Sequence, residues 1–193
     1  MIFDKDTDLM KLIEQAENGD EKALRLMATY LTLGRVLDNP ILDELAEKYI
    51  NILASNDDAK GLIMKADILL NQNSDKATAI EAIKLYLRAL LEGEEFAIEC
   101  IADMFFQGKC VDQDREIAFL ILWYVIQQSK DVNSLCLYEI GKIAQEGEVI
   151  MQDLDLARFC YEKCIVAAGE YSELDEFALK ARKELDDLNS ETD

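Results

Sequence analysis

The chain has 193 residues, 20 of them basic and 40 acidic, for a net charge of −20 at pH 7, and it contains no histidine. Half of it is apolar and Pro occurs once, the composition of a packed helical protein rather than a disordered one. The charge repels polyphosphate backbones and anionic lipid, so no nucleic acid and no membrane surface is expected as a partner, while a basic protein would be steered in.

At the start, MIFDKDTDLMKLIEQ places acids where a secretory leader needs basic residues and an apolar core. Export is not expected, and five cysteines without a regular spacing suit a reducing compartment; the expected location is cytoplasmic. The longest apolar run, Ile117 to Ile126, is half the roughly 20 residues that span a bilayer. It reads as a buried helix.

Taken in chain order, apolar spacings of three, four and five residues predict helices over 6–17, 21–33, 42–55, 57–71, 78–92, 94–107, 114–129, 132–146, 153–168 and 173–188. The inner eight fall into four pairs. Ala28, Ala66, Ala102 and Gly141 occupy one recurring small position on the first helix of each pair, preceded five residues earlier by Ala23, Gly61, Ala97 and Cys136. Leu24, Leu62, Ile98 and Leu137 follow directly after those earlier small residues. On the second helix the equivalent small residue is Ala46, Ala82, Ala118 or Ala157, with apolar side chains three and four positions further on. Two helices cross closely only where one surface lacks bulk, so each pair is a hairpin, and hairpins that cannot bury both faces alone must stack on their neighbours.

The joints recur too. FQGKCVDQDREIA, from Phe106, and QEGEVIMQDLDLA, from Gln145, both place Gly third, Asp ninth and Ala thirteenth. Gly108, Gly147 and, in the first copy, Gly34 are expected to end the first helix in the left-handed conformation. Asp114 and Asp153, with Thr78 in the second copy, are expected to cap the second helix. The predicted fold is an all-α, α/α superhelical solenoid of about four helix-hairpin repeats, in one domain spanning 1–193. The repeats are about 19–56, 57–93, 94–131 and 132–169, with terminal half-repeat capping helices, the last over 173–188.

With its small, aliphatic, Gly and Asp positions so arranged, the chain resembles the Sel-one-like repeat family, relatives of the tetratricopeptide repeats. GKCVDQDREIA and GEVIMQDLDLA match the family's Gly, Val-containing loop, Asp and helix-opening Ala, and LYLRALLEG, Leu85 to Gly93, resembles its second-helix ending. Departures are Leu42 at a cap position with Pro40 in a longer loop, Gln72 in place of Gly, Lys65 at an apolar site, and Trp123 and Tyr124 two residues late. What the resemblance implies is a non-enzymatic interaction scaffold or adaptor that binds a partner protein or peptide on a concave face lined by first helices. Carried over position by position, that face consists of Arg25, Thr29, Ile63, Asp67, Glu99, Asp103, Phe106, Tyr138, Lys142 and Gln145, with Phe106 and Tyr138 as aromatic anchors.

No catalytic, cofactor-binding or metal-ligating set emerges beside it. Without histidine there is no His-based triad and none of the common zinc sites, and the eight glycines are scattered singly rather than gathered in a phosphate loop. Cys160 and Cys164 share a helix face but lack a second ligand pair, and Asp112 with Asp114 lacks the central Gly and twelfth-position Glu of a calcium loop. Carboxylate pairs such as Glu94 and Glu95 follow from the excess of acids. The alternative function is an acidic, immunity-type inhibitor that neutralises a basic toxin or nuclease, because a charge of −20 would speed capture of a cationic target.

Overall fold

The computed structural model describes residues 7–34, 40–128, 132–169 and 173–190. Among them it shows ten helices and no strand: α1 (Thr7–Glu17), α2 (Glu21–Gly34), α3 (Pro40–Ser55), α4 (Ala59–Gln72), α5 (Lys76–Leu91), α6 (Phe96–Gln107), α7 (Arg115–Gln128), α8 (Ser134–Glu146), α9 (Leu154–Ala167) and α10 (Glu176–Ser190). Each corresponds to one helix expected from the apolar spacing. The chain packs as two compact units, residues 1–97 and 98–193.

In the first unit α2 packs on α3, α3 on α4 and α4 on α5, with α1 against α2. The small positions lie where the helices meet: Ala28, Ala46, Ala66 and Ala82 are all completely buried. Gly61 is the closest approach, since a Cβ there would run into Leu53 Cβ and stand 2.9 Å from the Ala54 backbone nitrogen. Around these contacts Leu24, Met27, Tyr49, Ile50 and Leu53 form the core, with Ala16 of α1 closing its end. Burial of each large aliphatic side chain contributes about 1.5–3 kcal/mol.

The second unit repeats the device. Ala102, Ala118 and Ala157 have no exposed surface, Gly141 takes the Tyr161 ring at close range, and α8 packs against α7, α9 and α10. The last helix fills the role of a terminal half-repeat: Ala181 and Leu188 join Tyr138, Ala157, Tyr161 and Cys164 in one cluster. A run of ten apolar residues in α7 led to the expectation of a buried helix. Only Ala118, Leu122 and Val125 of α7 are buried, whereas Ile117, Leu120, Trp123 and Tyr124 are exposed.

The two matching joints share a set of hydrogen bonds. Gly108 and Gly147 take φ of 72° and 70°, the left-handed turn that glycine alone adopts freely. Gln113 Nε2 donates to the Phe106 carbonyl and Gln152 Nε2 to the Gln145 carbonyl, both at 2.8 Å. The Asp114 and Asp153 amides reach back to the Phe105 and Ala144 carbonyls, both at 2.9 Å. Each Asp then accepts from the amide three residues on, Ile117 and Leu156, satisfying a donor that the first helical turn leaves open.

The second copy differs from expectation. Thr78 is not the cap of α5: its amide and hydroxyl both donate to the Asp75 side chain, which is the cap. In the first copy α3 begins at Pro40, two residues ahead of the expected start, because a proline at the first helical position forfeits no hydrogen bond and has its φ already set. Gly34 is the last residue of α2, and the loop after it lies outside the described residues.

Candidate functional site

The ten residues expected on the binding face divide by exposure. In the first unit Arg25, Thr29 and Asp67 are exposed and Ile63 is buried. Arg25 is held in place: its guanidinium pairs with Glu21 one turn back and with Asp58, both at 2.5 Å. Asp58 is itself the buried N-cap of α4, so Arg25 links the start of α4 to α2. Asp67 accepts from the Tyr86 hydroxyl at 2.6 Å, which gives an otherwise buried phenol its partner.

In the second unit the two aromatic anchors are not free. Phe106 is 5% exposed and Tyr138 9%. The Phe106 ring packs with Ala118 and Ile143 and lies under the Arg115 guanidinium, 5.0 Å away. Tyr138 sits between Tyr161 and Phe177, with ring centroids 6.0 and 5.9 Å apart. The physical reason is α10, which packs on α8 and covers the face that Tyr138 would otherwise show to solvent. Lys142 bridges the same two helices, 3.3 Å from both Glu146 and Glu184. Gln145 accepts from the Tyr161 hydroxyl at 2.5 Å.

Glu99 and Asp103 lie one turn apart on α6 and meet Glu139 of α8. Glu139 is fully buried and Glu99 is 6% exposed, while Asp103 is partly exposed. Among the described residues no donor reaches either oxygen of an ionised Glu139, nor Oε2 of Glu99. Glu139 therefore does best protonated, giving its own proton to Asp103, and burial with the neighbouring Asp103 and Glu99 pushes its pKa up to about 10. Burial raises Glu99 to about 7, opposed by a hydrogen bond from the Asn133 side chain. Asn133 is also the N-cap of α8, its Oδ1 accepting from the Cys136 amide at 3.0 Å. Glu139 was not anticipated from the sequence, since on helical spacing alone it is one acid among forty.

The cysteine pair has no chemistry of its own. Cys160 packs with Ala102, Leu122 and Cys136, whereas Cys164 belongs to the Tyr161 cluster. Burial pushes the two thiols up to about 11 and about 12, so neither supplies a thiolate near neutrality. Among the described residues no group of three acids or cysteines is arranged to hold a metal ion, and no helix is long and apolar enough to cross a membrane.

No protein-family model matches the chain, and no curated protein matches it. Solved structures do. A Sel1 repeat protein from Oxalobacter formigenes aligns with a TM-score of 0.59 at 18% identity over 86% of this chain and 67% of that one. A protective antigen of uropathogenic Escherichia coli, described as displaying an SLR fold, aligns with a TM-score of 0.58 at 18% identity over 86% of this chain. The chain spans 36% of that antigen's length. Sel1-like, α/α repeat architecture is thus the fold of this protein, as its small-residue spacing foreshadows.

Proposed function

We propose that the chain is a non-enzymatic interaction scaffold that binds a partner protein or peptide along its first helices, α2, α4, α6 and α8. The observation that carries this reading is the recurring division of labour within the repeat. Small residues of each first helix, Ala28, Ala66, Ala102 and Gly141, are given to packing, while Thr29, Asp67, Asp103, Lys142 and Gln145 keep surface in contact with solvent. A repeated helix face that stays open to solvent once the small residues have packed can take part in recognition, even where its side chains also bond a neighbour, as Asp67, Lys142 and Gln145 do. Burial narrows the face: Ile63, Glu99, Phe106 and Tyr138 support it from behind.

The test is affinity capture from the native cell with the wild type and with Thr29→Arg combined with Asp67→Arg. Both positions are exposed; because Asp67→Arg also takes the acceptor from the buried Tyr86 hydroxyl, helix content is checked by circular dichroism, and the folded variant should lose partners held by the wild type. An unchanged set of partners would sink the assignment of this face.

The net charge of −20 favours a second reading, an acidic inhibitor of a basic toxin or nuclease. Electrostatic steering of that kind collapses with ionic strength. Capture kinetics with the identified partner decide: an association rate that stays constant between low and high salt rejects it.

A further inference from the structure

The carboxyl cluster of Glu99, Asp103 and Glu139 is where the second unit leaves its polar chemistry incomplete. Native proteins rarely bury a polar atom without a partner, yet here two buried acids have three oxygens that receive no hydrogen bond from the described residues, Glu139 having only Asp103 to bond with. Neighbouring cations have other direct partners. Lys142 serves Glu146 and Glu184, and Lys180, which attracts Glu139 through space, sits 2.6 Å from Glu176 and above the Tyr138 and Phe177 rings. Cys136 faces the same acids, but its thiol hydrogen is given to the Leu122 carbonyl. One amide, Asn133, is what the fold offers to Glu99.

We infer that this cluster is the seat for an arginine side chain of the protein's partner, with the partly exposed Asp103 as the point of entry and Glu139 behind it. This deepens the scaffold reading, on which it rests, by naming the chemistry recognised. A guanidinium suits the site better than an ammonium, because its planar fork can face carboxyl groups presented by two different helices, whereas an ammonium acts as a point charge. It also brings the N–H donors that the fold withholds. As the cation arrives, the proton shared between Glu139 and Asp103 leaves for solvent, and an ion pair replaces the acid pair. Binding and proton release are therefore one event.

The experiment is calorimetric titration of the full chain with a hexa-arginine peptide at pH 8, in two buffers of different ionisation enthalpy, so that proton release is measured directly. The expected result is release of about one proton per site, with Glu139→Gln losing the release and binding about tenfold or more weakly. Glu162→Gln, at an exposed position on α9, should match the wild type and so reports any attraction by general acidity. Asp103→Asn serves as a second variant if Glu139→Gln changes the far-ultraviolet circular dichroism spectrum. Hexa-lysine and spermine are the competing probes. Absence of proton release, equal binding by wild type and both cluster variants, or release of the same proton by hexa-lysine or spermine with equal affinity would each overturn the assignment. If these fail while Thr29→Arg with Asp67→Arg still abolishes capture of partners, the arginine seat falls and the scaffold reading stands.

Discussion

The Tyr161 ring occupies the space in which a side chain at Gly141 would begin: a Cβ there would stand 2.6 Å from its Cε1 and 2.8 Å from its Cδ1. The ring has no easy retreat, because it is fully buried and its hydroxyl is tied to Gln145. Gly141→Ala should therefore destabilise by about 1–3 kcal/mol through overpacking, against the roughly 1 kcal/mol that Ala gains over Gly within a helix. Gly61→Ala should be worse, since the obstacle includes the Ala54 backbone nitrogen. Urea midpoints rank the two, and either variant more stable than wild type would refute the packing argument.

The caps can be weighed against each other. Asp114→Ala and Asp153→Ala each remove an acceptor from an open helix start, and each should lower stability by about 1 kcal/mol. In the second copy the sensitive position is Asp75 rather than Thr78, because Thr78 is the donor. Thermal unfolding should show Asp75→Ala less stable than Thr78→Ala.

Glu139 predicts how stability runs with pH. Its folded pKa is raised to about 10 from an ordinary value of 4.5, so across that window the folded chain holds a proton that the unfolded chain has released. Stability therefore falls as pH rises, by up to about 1.4 kcal/mol per pH unit for each such proton. Glu99 adds to the fall between 4.5 and about 7. Glu139→Gln, which needs no proton to stay neutral, should gain on the wild type progressively from pH 5 to 8.5. Parallel urea curves with a constant gap between the two proteins would contradict this.

Phe106→Ala should behave as a core deletion. With the ring 5% exposed, the expected loss is about 3–5 kcal/mol, and weakened partner capture by this variant should track its unfolded fraction. Chemical unfolding alongside capture distinguishes the cases: full stability with lost binding would restore Phe106 as an anchor.

The helices and their pairing were legible in the sequence because they depend on small residues at fixed spacing, and a spacing can be read without knowing what lies opposite. Ala28, Ala66 and Ala102 are completely buried at the positions their period assigns. Which side chains of the candidate face reach solvent was less legible. Whether Tyr138 looks outward depends on α10, forty residues further along, and nothing in the α8 sequence records that Phe177 and Lys180 will cover it. Glu139 was hidden for the same reason, since its meaning comes from Asp103 and Glu99 on another helix. Thr78 was misjudged as a cap because Thr and Asp are both good caps and Asp75 stands only three residues away.

The backbone turns after α6 and α8 are each closed by bonds of their own, from Phe105 to Ile117 and from Ala144 to Leu156, and Arg115 of the first also reaches Glu146 and Glu148 of the second. A turn whose backbone closes on itself can be copied along with its helices. The natural quantum of change for such a chain is the whole repeat, here the 39 residues from Phe106 to Ala144. Gene duplication or deletion in that unit would preserve the bonds that close the turn, whereas loss of one residue inside it would break their spacing.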